Sequence, residues 1–171
     1  MRYATRTATA TAAAVLGLAG LVGTAVHAGS ATASLAGSAS ISNNCTISTA
    51  ALAFGAYDPV VANASSNRDG TGTVTIACTK GAASTIGLNL GNNASGSTRR
   101  LTDGASNYLS YKMYQDSGRT TVWGNSGAAL LTPAAAPSKT ARNFTVYGRV
   151  TSNQDVPAGS YADTVTATVN F

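Results

Sequence analysis

The stretch "DTVTATVNF", residues 163–171, alternates without interruption. In an extended chain Val165, Ala167, Val169 and Phe171 fall on one face, and Thr164, Thr166, Thr168 and Asn170 on the other. Seven of those eight side chains are β-branched, aromatic or small, which suits a half-buried strand. A strand of this kind needs sheet neighbours along its edges and a core beneath its apolar face. The same period of two recurs upstream. "GTVTIAC" (72–78) aligns Val74, Ile76 and Cys78, and "NYLSYKMYQ" (107–115) aligns Leu109, Tyr111 and Met113. "NFTVYGRV" (143–150) aligns Phe144, Val146 and Val150, with Gly148 interrupting. "NCTIST" (44–49), "LAFGAYDP" (52–59), "STIGLNL" (84–90) and "TVW" (121–123) are shorter candidates. Gly, Ser, Thr and Asn separate these runs, and helix signals are nearly absent after residue 28. The chain therefore reads as all-β, with six or seven strands in a sandwich. The run 124–142, with Pro133 and Pro137, reads as a long loop around a short edge strand, and "NNASGSTRR" (92–100) as a connection.

Residues 1–28 have the layout of a secretory signal: Arg2 and Arg6, then the apolar run "AAAVLGLAGLVGTAV", then small residues before a cut after Ala28 or after Ala33. That run is shorter than the roughly 20 residues a membrane span takes. In an exported chain, two cysteines argue for one disulfide, Cys45–Cys78, against the alternative of two buried thiols.

Residues 29–44, "GSATASLAGSASISNN", carry no charge, proline or aromatic, yet they alternate. Ala33, Leu35, Gly37, Ala39 and Ile41 share a face. The segment is either a flexible linker or a strand whose partner lies elsewhere.

Chemistry finds few candidates. The one histidine, His27, precedes the expected cut, and the sequence has no Glu. Without them the commonest general bases and the Ser–His–Asp arrangement are missing, and the usual zinc ligand sets fail. Asp58, Asp69, Asp103 and Asp155 sit beside turn formers. We expect no enzyme, no metal and no cofactor. Cutting the signal away leaves nine basic against six acidic residues, scattered along the chain with "RR" at 99–100 the only adjacent pair, so no nucleic-acid footprint is expected. Trp123 and the tyrosines are either core or the lining of a sugar site.

Several stretches, in order, are similar to the spore coat protein U domain family, whose members include subunits of archaic chaperone–usher pili. They are "NCTISTAALAFGAYDP" (44–59), "GTVTIACTKG" (72–81), "RRLTDG" (99–104), "LSYKMYQDSGRTTVWG" (109–124) and "YGRVTSNQDVPAGSYADTVTATVNF" (147–171). The resemblance implies an immunoglobulin-like pilin sandwich over 45–171 that lacks its own last strand. Residues 29–44 would then be a donor-strand extension, with Ala33, Leu35, Gly37, Ala39 and Ile41 as the donated face. Val165, Ala167, Val169 and Phe171 would border the vacancy, with Phe171 helping to anchor a chaperone. The implied partners are related pilin subunits in a head-to-tail fibre, a periplasmic chaperone and an outer-membrane usher, with the product a fimbrium on the cell surface. The alternative is a monomeric secreted carbohydrate-binding or surface-coat module.

Overall fold

The structure is a computed structural model and describes residues 26–171. The expected signal, 1–28, falls almost wholly outside those residues. The chain divides into two units, Met1–Ala39 and Ser40–Phe171. In the first, residues 26–39 form no strand and are exposed, with Leu35 98% accessible.

The second unit is the sandwich. Its strands are β1 (Cys45–Ala53), β2 (Arg68–Cys78), β3 (Thr85–Leu88), β4 (Arg99–Thr102), β5 (Tyr108–Tyr114), β6 (Arg142–Val150) and β7 (Ala167–Asn170). One sheet has the order β1-β2-β6-β5-β4 and the other pairs β3 with β7, all antiparallel. The fold is immunoglobulin-like and all-β. The period of two directs the packing: Val74 and Ile76 of β2, Val146 and Val150 of β6, and Leu109, Tyr111 and Met113 of β5 face Ile86, Leu88 and Trp123 across one core. Trp123 is wholly buried and donates its indole N–H to the Ile86 carbonyl at 2.9 Å. Its ring face is therefore not available to a sugar.

Cys45 and Cys78 stand opposite each other in the β1–β2 ladder and are bonded. Three expectations are corrected. "LAFGAYDP" forms no strand of its own, because Leu52 and Ala53 end β1 and 54–59 is a loop. Arg99 and Arg100 belong to a strand, β4, rather than to a connection, because Arg99 pairs with Tyr111. "TVW" contributes one bridge, Tyr114 to Val122, since Asp116 folds the preceding residues into a turn. Within the long loop, Leu131 pairs with Ile86 as an edge segment.

Gly148, an interruption in the sequence pattern, makes room for packing. A Cβ there would lie 2.7 Å from Phe54 and 2.8 Å from Leu52. The end of β1, after a register shift between Ala50 and Ala53, lays these two side chains over the sheet where β6 has none.

The turns are clamped by carboxylates. Asp58 accepts the N–H groups of Val60 and Val61, and these hold its carboxyl below the ordinary range. Asp116 accepts the N–H groups of Thr121 and Thr120, with the same effect. Asp69, expected in a turn, instead lies in β2 opposite Arg149, whose guanidinium, bound at 2.7 and 2.9 Å, lowers its pKa. A carboxylate with a depressed folded pKa stabilises above its unfolded pKa of about 3.9 and loses that contribution as pH falls through the folded value. We therefore expect the melting temperature to be level down to about pH 4 and to drop below it. A thermal-denaturation series against pH checks this, and a profile level to about pH 2 contradicts it. Replacing Cys45 and Cys78 by Ser is expected to cost about 3 kcal/mol in urea unfolding, because the bridge closes a long loop.

Candidate functional site: an open strand edge and its groove

β7 has one neighbour, and backbone parity shows what its other edge presents. In an antiparallel ladder, a residue's N–H and C=O point to the same side, and successive residues point to opposite sides. Ile86 exchanges both groups with Leu131, at 2.8 and 3.0 Å, on the side of β3 away from β7. Its cross-strand partner Val169 therefore turns its own N–H and C=O away from β3. Ala167 and Val165 share that parity. Thr166 and Thr164 have the opposite one, and their carbonyls accept the N–H groups of Asn89 and Asn92. The residues whose side chains pack on the core, Val165, Ala167 and Val169, thus carry the backbone groups that face the open edge.

β1 borders the other side. Thr79 N–H donates to Asn44 O at 2.9 Å, so even-numbered residues of β1 face β2 while Ile47 and Thr49 face outward. β1 and β7 approach each other but share no ladder. Between them runs a groove of about 270 Å³ bordered by Thr49–Leu52 on one side and Thr164, Val165 and Ala167 on the other. Val74, Val146, Met113, Tyr111 and Leu101 form its floor. It continues past Leu52 and Phe54 into a cavity of about 760 Å³ between the 54–59 loop and residues 156–163. The groove is apolar below and offers unpaired peptide groups at both rims, so its chemistry suits an extended peptide. Among the described residues no cluster of His, Cys and Asp could hold a metal ion.

Two charged residues brace the groove. Arg99, only 4% exposed, donates to three carbonyls: Asn89 at 2.9 Å, Leu88 at 2.8 Å and Trp123 at 2.8 Å. Burial lowers its pKa, and the three acceptors are what make an interior cation tolerable. Asp163 accepts the Tyr111 hydroxyl at 2.8 Å and the N–H groups of Asn92 and Asn93 at 3.0 and 3.2 Å. Burial, and then the bond to Asp163, push the Tyr111 phenol upward. Neither role was read from the sequence, although a signal existed for one. Asp163 has the parity of Val165 and so belongs to the inward face.

Of the residues expected to border a vacancy, Val165, Ala167 and Val169 are half-buried against the core, and Phe171 is 54% exposed beyond the end of β7. Ala33, Leu35, Gly37, Ala39 and Ile41 are exposed and outside any strand.

The family model described as Spore Coat Protein U domain matches residues 31–168, which span the groove, β1, the first half of β7 and most of the extension. The chain belongs to the spore coat protein U domain family. Within it, "Protein U" of Myxococcus xanthus is 39% identical over 137 residues, covering 70% of this chain and 71% of that protein. Among solved structures, the domain superposes with a TM-score of 0.58 and 22% identity on a chain of the CsuC–CsuE complex, described as a chaperone–tip adhesion subunit pre-assembly complex from archaic chaperone-usher Csu pili of Acinetobacter baumannii. That match covers 77% of this chain and 40% of the other. At this identity it establishes the shared fold.

Arg99→Leu would leave three interior carbonyls without a donor and is expected to destabilise the domain by about 3 kcal/mol. Urea unfolding measures it, and an unchanged midpoint would mean that the three bonds contribute nothing net.

Proposed function

We propose that the protein is a non-enzymatic structural subunit of a pilus, polymerising by donor-strand complementation. The observation that carries this reading is the outer edge of β7, where residues whose side chains serve the core hold unpaired peptide groups. An edge of that kind templates a further strand. Residues 29–44 of a second copy supply it, with Ala33, Leu35, Gly37, Ala39 and Ile41 directed into the groove. The extension's alternating pattern and its exposure support this assignment. Addition between β7 and β1 would link the two sheets.

The donated face carries two bulky residues, Leu35 and Ile41, each contributing roughly 1.5–3 kcal/mol on full burial. The groove fits so modest a donor. Leu52 and Phe54 already occupy the space over Gly148, leaving about 270 Å³ to fill. Edge hydrogen bonds add about 0.5–1.5 kcal/mol apiece. The register can slide by two residues without changing the face presented.

Before assembly, a periplasmic chaperone would cover the same edge, with Phe171 exposed beside it, and an outer-membrane usher would exchange chaperone for neighbour. The protein would then pass through the periplasm to a cell-surface fimbrium. The fold shared with the Csu complex supports the chaperone step. Deleting Gly29–Ile41 behind an intact signal is expected to leave chaperone binding unchanged and to abolish fibres, as seen by co-purification and electron microscopy. A truncated protein that still polymerises overturns the donor assignment.

A further inference from the structure

The sandwich is electrically polarised along its strands. At one pole lie the starts of β1 and β6 and the 79–84 and 134–141 loops, joined by bonds between Gly81 and Ala136 and between Ala136 and Ala82. This pole carries Lys80, Lys139 and Arg142 and no aspartate. At the opposite pole lie the 54–67, 103–107 and 151–163 segments, joined by Asn153 to Asn63 and by Thr102 to Ala162. It carries Asp58, Asp103, Asp155 and Asp163. Asp69 lies at the same end of β2, where it pairs with both Arg149 and Arg119, so the excess of negative charge there is slight. Two further cations accompany them. Arg68 is bound to the Phe54 carbonyl, and Arg100 is stacked on Tyr108 at 3.8 Å. The acidic pole also presents Val60 and Val61, 81% and 76% exposed. Their turn is fixed by Asp58 and by Asn63, which is 5% exposed and bonds back to Asp58 N–H at 3.0 Å. Two adjacent valines on a turn held this firmly form a surface prepared for a partner.

We propose that the basic pole of one copy docks on the acidic pole of the next, around Val60 and Val61. The inference rests on the donor-strand reading, which supplies the tether. Residues 42–44 lie at the basic pole, where Thr79 holds Asn44 and Ser42. From Ile41 to Cys45 the chain reaches roughly 14 Å at most, so the donor's body sits at whichever end of the groove its strand finishes. β7 runs from the acidic pole to the basic one. A donor antiparallel to β7 finishes at the acidic pole and brings Lys80, Lys139 and Arg142 onto the carboxylates. A parallel donor would set three cations against three cations. Charge complementarity thus commits the surface to a second copy of this chain in head-to-tail order.

The test uses full-length subunits released from chaperone, with elongation followed by light scattering. Donor subunits carrying Lys80→Glu with Lys139→Glu, both exposed side chains, are expected to elongate about tenfold more slowly than wild type at low ionic strength. The deficit should vanish near about 0.5 M salt and be relieved at low salt when the acceptor carries Asp155→Lys. Equal rates at every salt concentration, or no relief by Asp155→Lys, overturn the docking. A synthetic peptide of residues 29–44 has no body to dock and should bind the acceptor equally well with or without Asp155→Lys. If that peptide does not bind the wild-type acceptor, the donor-strand reading itself fails, and the docking with it.

Discussion

A β-strand that contributes side chains to a core while leaving its outward peptide groups unpaired is in an unstable position. Burying apolar side chains pulls Val165, Ala167 and Val169 inward, and the parity of an antiparallel ladder then turns their N–H and C=O groups away from β3. Those groups have no ladder partner among the described residues, because β1, the strand on the side they face, shares no ladder with β7. Much of what is unusual about the sandwich follows from this edge: a two-stranded sheet facing a five-stranded one, a groove rather than a seam between β1 and β7, and interior polar residues placed beside it.

Arg99 and Asp163 belong to the same constraint. A two-stranded sheet with irregular flanks leaves carbonyls at Leu88, Asn89 and Trp123 that no ladder reaches, and one guanidinium satisfies all three. Asp163 gathers the loop N–H groups of Asn92 and Asn93 together with the Tyr111 hydroxyl where the chain enters β7. These bonds hold the groove's walls in position without filling it. On the donor-strand reading, Leu52 and Phe54, resting where Gly148 has no side chain, would reduce what an incoming strand has to supply.

The polarity of the domain adds direction to the edge. On the donor-strand reading, the cations gathered at one end of the groove would distinguish one sense of an incoming strand from the other. The aspartates that clamp turns at one pole therefore have two consequences from one chemistry. They fix loop shape through local N–H groups, and they give that end of the molecule its sign.

Much of the fold was legible in the residues. Alternation located β1, β2, β3, β5, β6 and β7 and named the inward faces of β2, β5, β6 and β7, because side-chain direction in a strand depends on position alone. Two cysteines left one possible pairing, and the ladder places them face to face. β4 was missed because Ser, Gly and Thr before "RR" read as a connection, and Arg99 counted only as one of the scattered cations. Its burial depends on three carbonyls distant in sequence, which no local pattern announces. The sequence by itself determined which face of β2, β5, β6 and β7 is apolar and where most of the turns between strands fall. Only the tertiary structure decided which strand lies beside which, that β7 is left with an open edge, and that Lys80, Lys139 and Arg142 gather at one pole. The physical reason is that a period of two specifies a side chain's face but not a backbone's neighbour, and the neighbour is what closes a sheet or leaves it open.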